Sequence, residues 1–215
     1  MELSIDQEWT SFEDYVESLS KKYRQRALKI IKSGENLQRR KLSQKDLVEL
    51  GPRIDFLYNS VVSRQLIKIG NLNQTYFQKM EQGMDGDFSV FGYFLENELI
   101  AFSSHLAHQN DGLEVHYIGF DFELNEEYFL YFNILFDGIK AVISQKIKTL
   151  KFGRTGYDAK SSAGAVPVFV KHFFKVKRGI PALALKYLLK VFSDKEEAKL
   201  KVRNPFKARP VGQEV

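Results

Sequence analysis

From Phe88 the chain stops placing its apolar residues at helical intervals and turns to β-rich runs. Phe88–Leu95 is aromatic and β-branched, Glu96-Asn97-Glu98 reads as a turn, and Leu99–Leu106 returns, which together predict a hairpin. Asn110-Asp111-Gly112 is a second turn signal, and Leu113–Phe120 forms a further strand. Strands joined in this way make an antiparallel meander. Helical spacing resumes over 128–146, then come a strand at Thr149–Gly153, a short helix at 156–163, a strand-like stretch at Val166–Val176 and a helix at Ala182–Phe192. A meander that gives way to helix–strand alternation predicts an α/β (α+β) fold: a mixed, mainly antiparallel sheet flanked by helices. The helix at 128–146 has to cross over, so the Thr149 strand is expected parallel to the Leu113 strand through a right-handed connection.

Upstream, the pattern is helical. Phe12, Tyr15, Val16, Leu19, Tyr23, Ala27, Ile30 and Ile31 recur at helical spacing and predict one amphipathic helix over 11–33. Ser11 and Asp14 are placed to form its capping box, and Gly34 stops it. Ser43 caps a second helix to Leu50, Gly51-Pro52 breaks it, a third runs over 52–68, and Asn73 opens a short one through Tyr76, Phe77 and Met80. This divides the chain into a basic helical arm at 1–42, a main domain at 43–192 and a charged tail at 193–215, expected to be loosely held.

Composition narrows the chemistry. With 44% hydrophobic and 27% charged residues in 215, the chain can bury a sizeable core. It has no cysteine, which removes disulfides, thiolate nucleophiles and Cys-based zinc sites. His105 and His108 fall on opposite sides of a strand and make no chelating pair, so no metal is expected. No basic region leads into an apolar one at the start, and no apolar run is long enough to span a bilayer, so a cytoplasmic protein is expected. The net charge of +5 is uneven. Residues 2–17 carry acids and no base, whereas 21–41 carry Lys21, Lys22, Arg24, Arg26, Lys29, Lys32, Arg39, Arg40 and Lys41 against Glu35 alone. Such a stretch is either a solvated helix face or an attractor of phosphate-rich partners such as CoA or RNA.

The residues that could carry chemistry cluster late. In Gly153-Arg154-Thr155-Gly156, glycines flank a strand end and a helix follows, so backbone N–H groups and Arg154 could meet phosphate or carboxylate; the other reading is a plain turn with Arg154 in an ion pair. Lys160 lies about one helical turn on, where a lysine stabilises an oxyanion, holds a phosphate, or is merely solvated. Tyr117 and Asp121 share a face of the Leu113 strand, with Glu114 and His116 expected on the other. Asp121 is placed to orient or deprotonate an amine, or simply to end the strand.

Read in order, Tyr117-Ile118-Gly119-Phe120-Asp121, Tyr131-Phe132-Asn133 and Phe152-Gly153-Arg154-Thr155-Gly156-Tyr157-Asp158-Ala159-Lys160-Ser161-Ser162-Ala163-Gly164 resemble the GNAT-type domain of the FemAB-like peptidoglycan biosynthesis/recognition family. The opening Phe12–Arg26 resembles the basic helix that begins the second half of such proteins, which often carry two GNAT-like halves. The resemblance implies a GNAT fold and acyl transfer to an amine acceptor, with Tyr117, Asp121 and Lys160 catalytic and Gly153, Arg154, Thr155, Gly156 and Gly164 holding the donor. The donor it implies is acyl-CoA or aminoacyl-tRNA. The turn Asp121–Glu127 departs from the CoA-binding pattern: it lacks glycine and carries Asp121, Glu123, Glu126 and Glu127, which would repel pyrophosphate. An RNA-linked donor would instead suit the basic residues of 21–41. The alternative function is a non-catalytic module using the same scaffold to recognise a cell-wall precursor, RNA or a protein.

Overall fold

A computed structural model describes residues 1–64, 72–73, 75–108, 112–153, 156–169 and 202–208. The meander is present: β3 (Phe88–Leu95), β4 (Glu98–His108) and β5 (Gly112–Phe120) pair antiparallel. Then β6 (Thr149–Lys151) pairs parallel to β5, as the crossover requires. Two strands the pattern did not reveal close the edges. β1 (Glu2–Ser4) pairs with β6, and β2 (Gln38–Lys41) pairs with β3, giving a six-stranded sheet ordered β1-β6-β5-β4-β3-β2. β2 is Gln-Arg-Arg-Lys and wholly exposed; a charged edge strand shows no alternation and resists pairing with another chain.

Helices cover both faces. On one lie α3 (Gln44–Glu49), α4 (Gly51–Val62) and α5 (Thr75–Gly83), packed through Leu47, Leu57, Tyr58 and Phe77 onto Val90, Phe94 and Phe102. Gly119 permits this: a Cβ there would lie 2.6 Å from the Leu57 carbonyl carbon and 2.7 Å from the Tyr58 nitrogen, so α4 rests directly on β5. On the other face, α1 (Phe12–Ser18), α2 (Lys21–Ser33) and α7 (Leu130–Ser144) bury Tyr15, Leu19, Ile30, Ile134, Leu135 and Ile139. Each such side chain contributes about 1.5–3 kcal/mol by leaving water. Ser11 and Asp14 form the expected capping box, as do Ser43 and Asp46.

The helix expected over 11–33 is broken. Leu19 is extended (φ −69°, ψ 143°) and bridges Phe206, while the Ser20 N–H donates to the Pro205 carbonyl. The Ser18 hydroxyl donates back to the Tyr15 carbonyl at 2.7 Å, the local competition by which serine weakens a helix. Part of the tail is therefore docked: Phe206 packs against Trp9 and Tyr15. The acidic turn is also not a loop. Phe122–Tyr128 is a helix, α6, joined to α7 by Phe129 in the left-handed region (φ 45°). That conformation, unusual for a bulky residue, is held by side chains: Asn133 donates to the Tyr128 carbonyl at 2.7 Å and Asn125 accepts from the Tyr131 N–H at 3.0 Å. The helix expected over 156–163 is α8 (Tyr157–Ser162). The helix expected over 52–68 ends at Val62, with Ser63 as its C-cap. Of the strand-like stretch at 166–176, Val166 pairs with Glu2; its part beyond 169, the helix at 182–192 and residues 65–68 lie outside the described residues.

Candidate active site

The parallel pairing of β5 and β6 stops after Gly112↔Thr149, Leu113↔Leu150 and Glu114↔Lys151. β5 runs on to Phe120, and among the described residues 115–120 have no strand partner on that side. The sheet is thus open beyond Glu114.

β5 is irregular where it opens. Its register with β4 shifts between Ser103↔Ile118 and His105↔Val115, so His116 and Tyr117 together oppose Ser104. The Ser104 hydroxyl fills the bulge, accepting from the Tyr117 N–H at 2.9 Å and donating to the Tyr117 carbonyl at 3.2 Å. The bulge overturns the expectation that His116 and Tyr117 face opposite ways. Their rings lie 4.3 Å apart and both meet Tyr76 of α5.

A chain of hydrogen bonds results. The Tyr76 hydroxyl meets His116 Nε2 at 2.9 Å, His116 Nδ1 meets Glu114 Oε1 at 3.2 Å, and Glu114 Oε2 meets His108 Nε2 at 3.2 Å. Hydrogen bonds from His116 and then His108 outweigh burial and hold the Glu114 carboxyl below its ordinary value. A carboxylate only accepts, so His116 carries its proton on Nδ1 and turns the Nε2 lone pair to the Tyr76 hydroxyl. Burial, then the neighbouring Tyr117, raises the Tyr76 pKa and keeps that phenol protonated. Alternation alone could not reveal this group, because the bulge changes its parity; the Glu-x-His spacing on one strand was the available signal.

Of the expected residues, Tyr117 belongs to this face, ringed by Tyr58, Tyr76 and Phe77. Asp121 shares it and is engaged. Its Oδ1 accepts from the Glu123 N–H at 3.0 Å, capping α6, and its Oδ2 pairs with Arg53 of α4 at 3.4 Å.

Lys160 stands in the other layer. It is 5% exposed, which removes the solvated reading, and burial pushes its ammonium down to about 8. Its neighbours are Gly156 and Tyr131: a Cβ on Gly156 (φ 75°) would collide with the Tyr131 hydroxyl and lie 3.8 Å from Lys160 Cε. Burial likewise pushes the Tyr131 phenol up to about 12. Gly153 has φ 72° with open space where a Cβ would stand, and Gly164 (φ 95°) is covered by Phe206. Arg154 and Thr155 lie outside the described residues. The structure therefore joins Tyr117 and Asp121 through α4, and places Lys160 with Gly156 apart from them.

The turn before α7 has part of its N–H capacity already taken. The Glu123 N–H is held by Asp121, the Tyr131 N–H by Asn125, and Glu123 adds charge to the first turn of α6. Cations line up beside it instead. Lys22, Arg26, Lys29 and Ser33 share one face of α2. Arg26 lies 4.5 Å over Phe132, Lys29 lies 5.5 Å over Phe129, and Ser33 donates to the Tyr128 carbonyl at 3.2 Å. Among the described residues no His/Asp/Glu group is arranged for a metal ion, and no helix is long and apolar enough to cross a membrane.

No protein-family model and no curated protein matches the chain. Among solved structures it is similar to FemX (9% identity over 72% of this chain and 52% of that one, TM-score 0.54). It is also similar to a conserved protein of unknown function from Bacteroides thetaiotaomicron VPI-5482 (13% identity, 74% and 55% covered, TM-score 0.53). An aminoglycoside acetyltransferase, meta-AAC0020, from an uncultured soil metagenomic sample aligns at 15% identity over 66% of this chain and 97% of that one, with a TM-score of 0.49. At these identities the likeness to FemX and to the Bacteroides protein is one of fold, the mixed, mostly antiparallel sheet flanked by helices that the GNAT-type resemblance led one to expect. The chain spans about half the length of FemX and of the Bacteroides protein.

Proposed function

We propose that the protein transfers an acyl or aminoacyl group to an amine, and that the Tyr76–His116–Glu114 chain takes the amine's proton. The observation that carries this reading is position: Glu114 is the last residue of β5 paired with β6, and His116 and Tyr117 follow it at the opening. The acceptor nitrogen attacks the acyl carbonyl, the carbonyl–donor bond breaks, and the leaving sulfur or oxygen departs with its electron pair. The amine proton passes to the Tyr76 oxygen as the Tyr76 proton passes to His116 Nε2, and Glu114 stabilises the imidazolium. Tyr117 packs the acceptor side. On the sequence resemblance, Gly153, Arg154, Thr155, Gly156 and Gly164 serve the donor and Lys160, beside Gly156, opposes negative charge that develops on the carbonyl oxygen.

The donor proposed is RNA-linked. The capped turn at α6 disfavours a pyrophosphate, while the Lys22–Arg26–Lys29 stripe beside it suits a polyphosphate backbone. On the sequence resemblance alone, the acceptor is an amine of a cell-wall precursor. The test is transfer of labelled acyl groups from acyl-CoA and from aminoacyl-tRNA to a panel of amines. Transfer from the RNA donor that is lost in His116→Ala supports the reading. Transfer from neither donor leaves a binding module on this scaffold as the account, and efficient transfer from acyl-CoA overturns the choice of donor.

A further inference from the structure

We propose that a cavity of about 810 Å3 between α1, α2 and α7 binds a zwitterionic ligand with an apolar body, an amino acid or short peptide. It lies over β2 and β3, at the opposite end of the sheet from β6, and in the layer away from the Tyr76–His116–Glu114 chain. Nothing in the acyl-transfer reading uses it. Its size is that of a small-molecule pocket.

The floor is a charged couple. Arg39 Nε, from β2, meets Asp137 Oδ2, from α7, at 3.4 Å, and Tyr93 of β3 lies beside them. Among the described residues neither charge has another ion-pair partner; Tyr93 bonds to both, which leaves part of each group's hydrogen-bonding capacity for a ligand. Asp137 is the more covered of the two, its side chain 21% exposed against 31% for Arg39, and a charge partly withdrawn from water gains from further bonds. Burial raises the Asp137 pKa against the opposing pull of Arg39, Tyr93 and Lys140.

Behind the floor runs a fixed polar chain. The Tyr93 hydroxyl meets Ser103 Oγ at 3.4 Å, and Ser103 Oγ meets His105 Nε2 at 3.4 Å. Burial, and then Arg39, hold His105 down to about 3, so it stays uncharged. The stacking of Arg39 on Phe91, with its Cζ 3.9 Å from the ring centroid, fixes the guanidinium from below.

The walls are apolar: Phe12, Val16, Leu28, Ile31 and Phe136. The rim carries both signs, Glu13, Glu17 and Glu35 against Arg24 and Lys140, with no ion pair among them. A net cation would meet repulsion from Arg24 and Lys140, and a net anion from Glu13, Glu17 and Glu35. A zwitterion does not: its ammonium completes Asp137, its carboxylate completes Arg39, and its side chain lies along the walls.

The experiment is calorimetric titration of the whole chain with L-phenylalanine and L-leucyl-L-phenylalanine, with phenethylamine and 3-phenylpropionate as single-charge controls. At least one zwitterion should bind at millimolar concentration or better, and each single-charge control should bind roughly 10-fold more weakly or worse. Asp137→Asn and Arg39→Gln should each cost about 10-fold, the loss of one charge-assisted hydrogen bond. Leu28→Trp fills the cavity from a position that is 53% exposed, so it should keep the fold and abolish binding. The proposal is overturned if neither zwitterion binds, if phenethylamine or 3-phenylpropionate binds as well as the better zwitterion, or if Leu28→Trp leaves affinity unchanged.

Discussion

The two faces of the sheet treat ionisable groups in opposite ways. On the α3–α5 face, Tyr76, His116, Glu114 and His108 are half-buried and joined end to end, so each proton has a defined neighbour. On the α1–α2–α7 face, Lys160 and His105 are nearly sealed, and burial alone, or burial before any charge, sets their ionisation. A joined chain moves protons; a sealed group holds one state and is costly to charge. The comparison predicts that changes to the ionisable side chains of the first face alter chemistry with little effect on stability, and that changes to those of the second alter stability in a pH-dependent way.

The largest effect expected is on turnover. His116→Ala should lower kcat by about 100- to 10,000-fold, the range of a general base, with the melting temperature little changed. Glu114→Gln should follow it in the same direction, because a neutral amide can donate as well as accept and so neither dictates the Nδ1–H tautomer nor stabilises the imidazolium by charge. Steady-state rates with the RNA-linked donor measure this. Loss of fold in His116→Ala, or full activity in both variants, would erase the distinction between the faces.

Next is Lys160. Its folded pKa of about 8 lies below the unfolded 10.5. Between these values the unfolded chain binds the proton and the native one does not, so stability rises with pH from about 8 to 10.5 and is lowest below 8. The charge costs the native state on the order of 3 kcal/mol at neutral pH. Lys160→Met should therefore raise stability at pH 7 by roughly 1–3 kcal/mol and flatten the alkaline rise, while impairing transfer. Urea unfolding across pH is the measurement. A destabilised Lys160→Met at pH 7 would mean that the ammonium is stabilised where it stands, contrary to the sealed reading.

A smaller effect tests how the joined chain is held. Ser104→Ala removes the hydroxyl that satisfies both backbone groups of Tyr117. It should cost about 1–3 kcal/mol and release His116 from Tyr76, so that kcat falls as well. Unfolding midpoints read the first part and rates the second. Loss of stability with unchanged kcat would show that the bulge does not position the base.

Much of the fold was legible and the chemistry less so, for separable physical reasons. The meander, the parallel return of β6 and the caps at Ser11 and Ser43 follow from periodicity and from local hydrogen bonding, which neighbouring residues determine. β2 escaped because a charged edge strand carries no alternation, and the break at Leu19 escaped because its extended backbone is fixed by a bridge to Phe206, far along the chain. α6 was hidden by reading its acids only as repulsive, although Asp121 and Glu123 are what an N-terminal turn favours. The placement of His116 depended on one inserted residue, which alternation cannot register. Lys160 was found by its spacing from Gly156, but its burial comes from α7, α8 and the residues that cover them, which spacing does not show.

The smallest effect concerns the edge between the faces and the solvent. Arg26 and Lys29 rest on Phe132 and Phe129, and neither is in an ion pair among the described residues, so their charge is free for a ligand. Arg26→Gln with Lys29→Gln removes two cations and two weak ring interactions, and stability should change by no more than about 1 kcal/mol. If the stripe tracks a phosphate backbone, RNA affinity should fall modestly, and the slope of log K against log salt should shrink by roughly 1 to 2, about one for each phosphate that is no longer neutralised. Such a change, with kcat at saturating donor preserved, would assign the stripe to donor capture and leave the chemistry to the β5 opening. An unchanged salt slope would return Arg26 and Lys29 to a solvated helix face, and the contrast would then rest on the sheet alone.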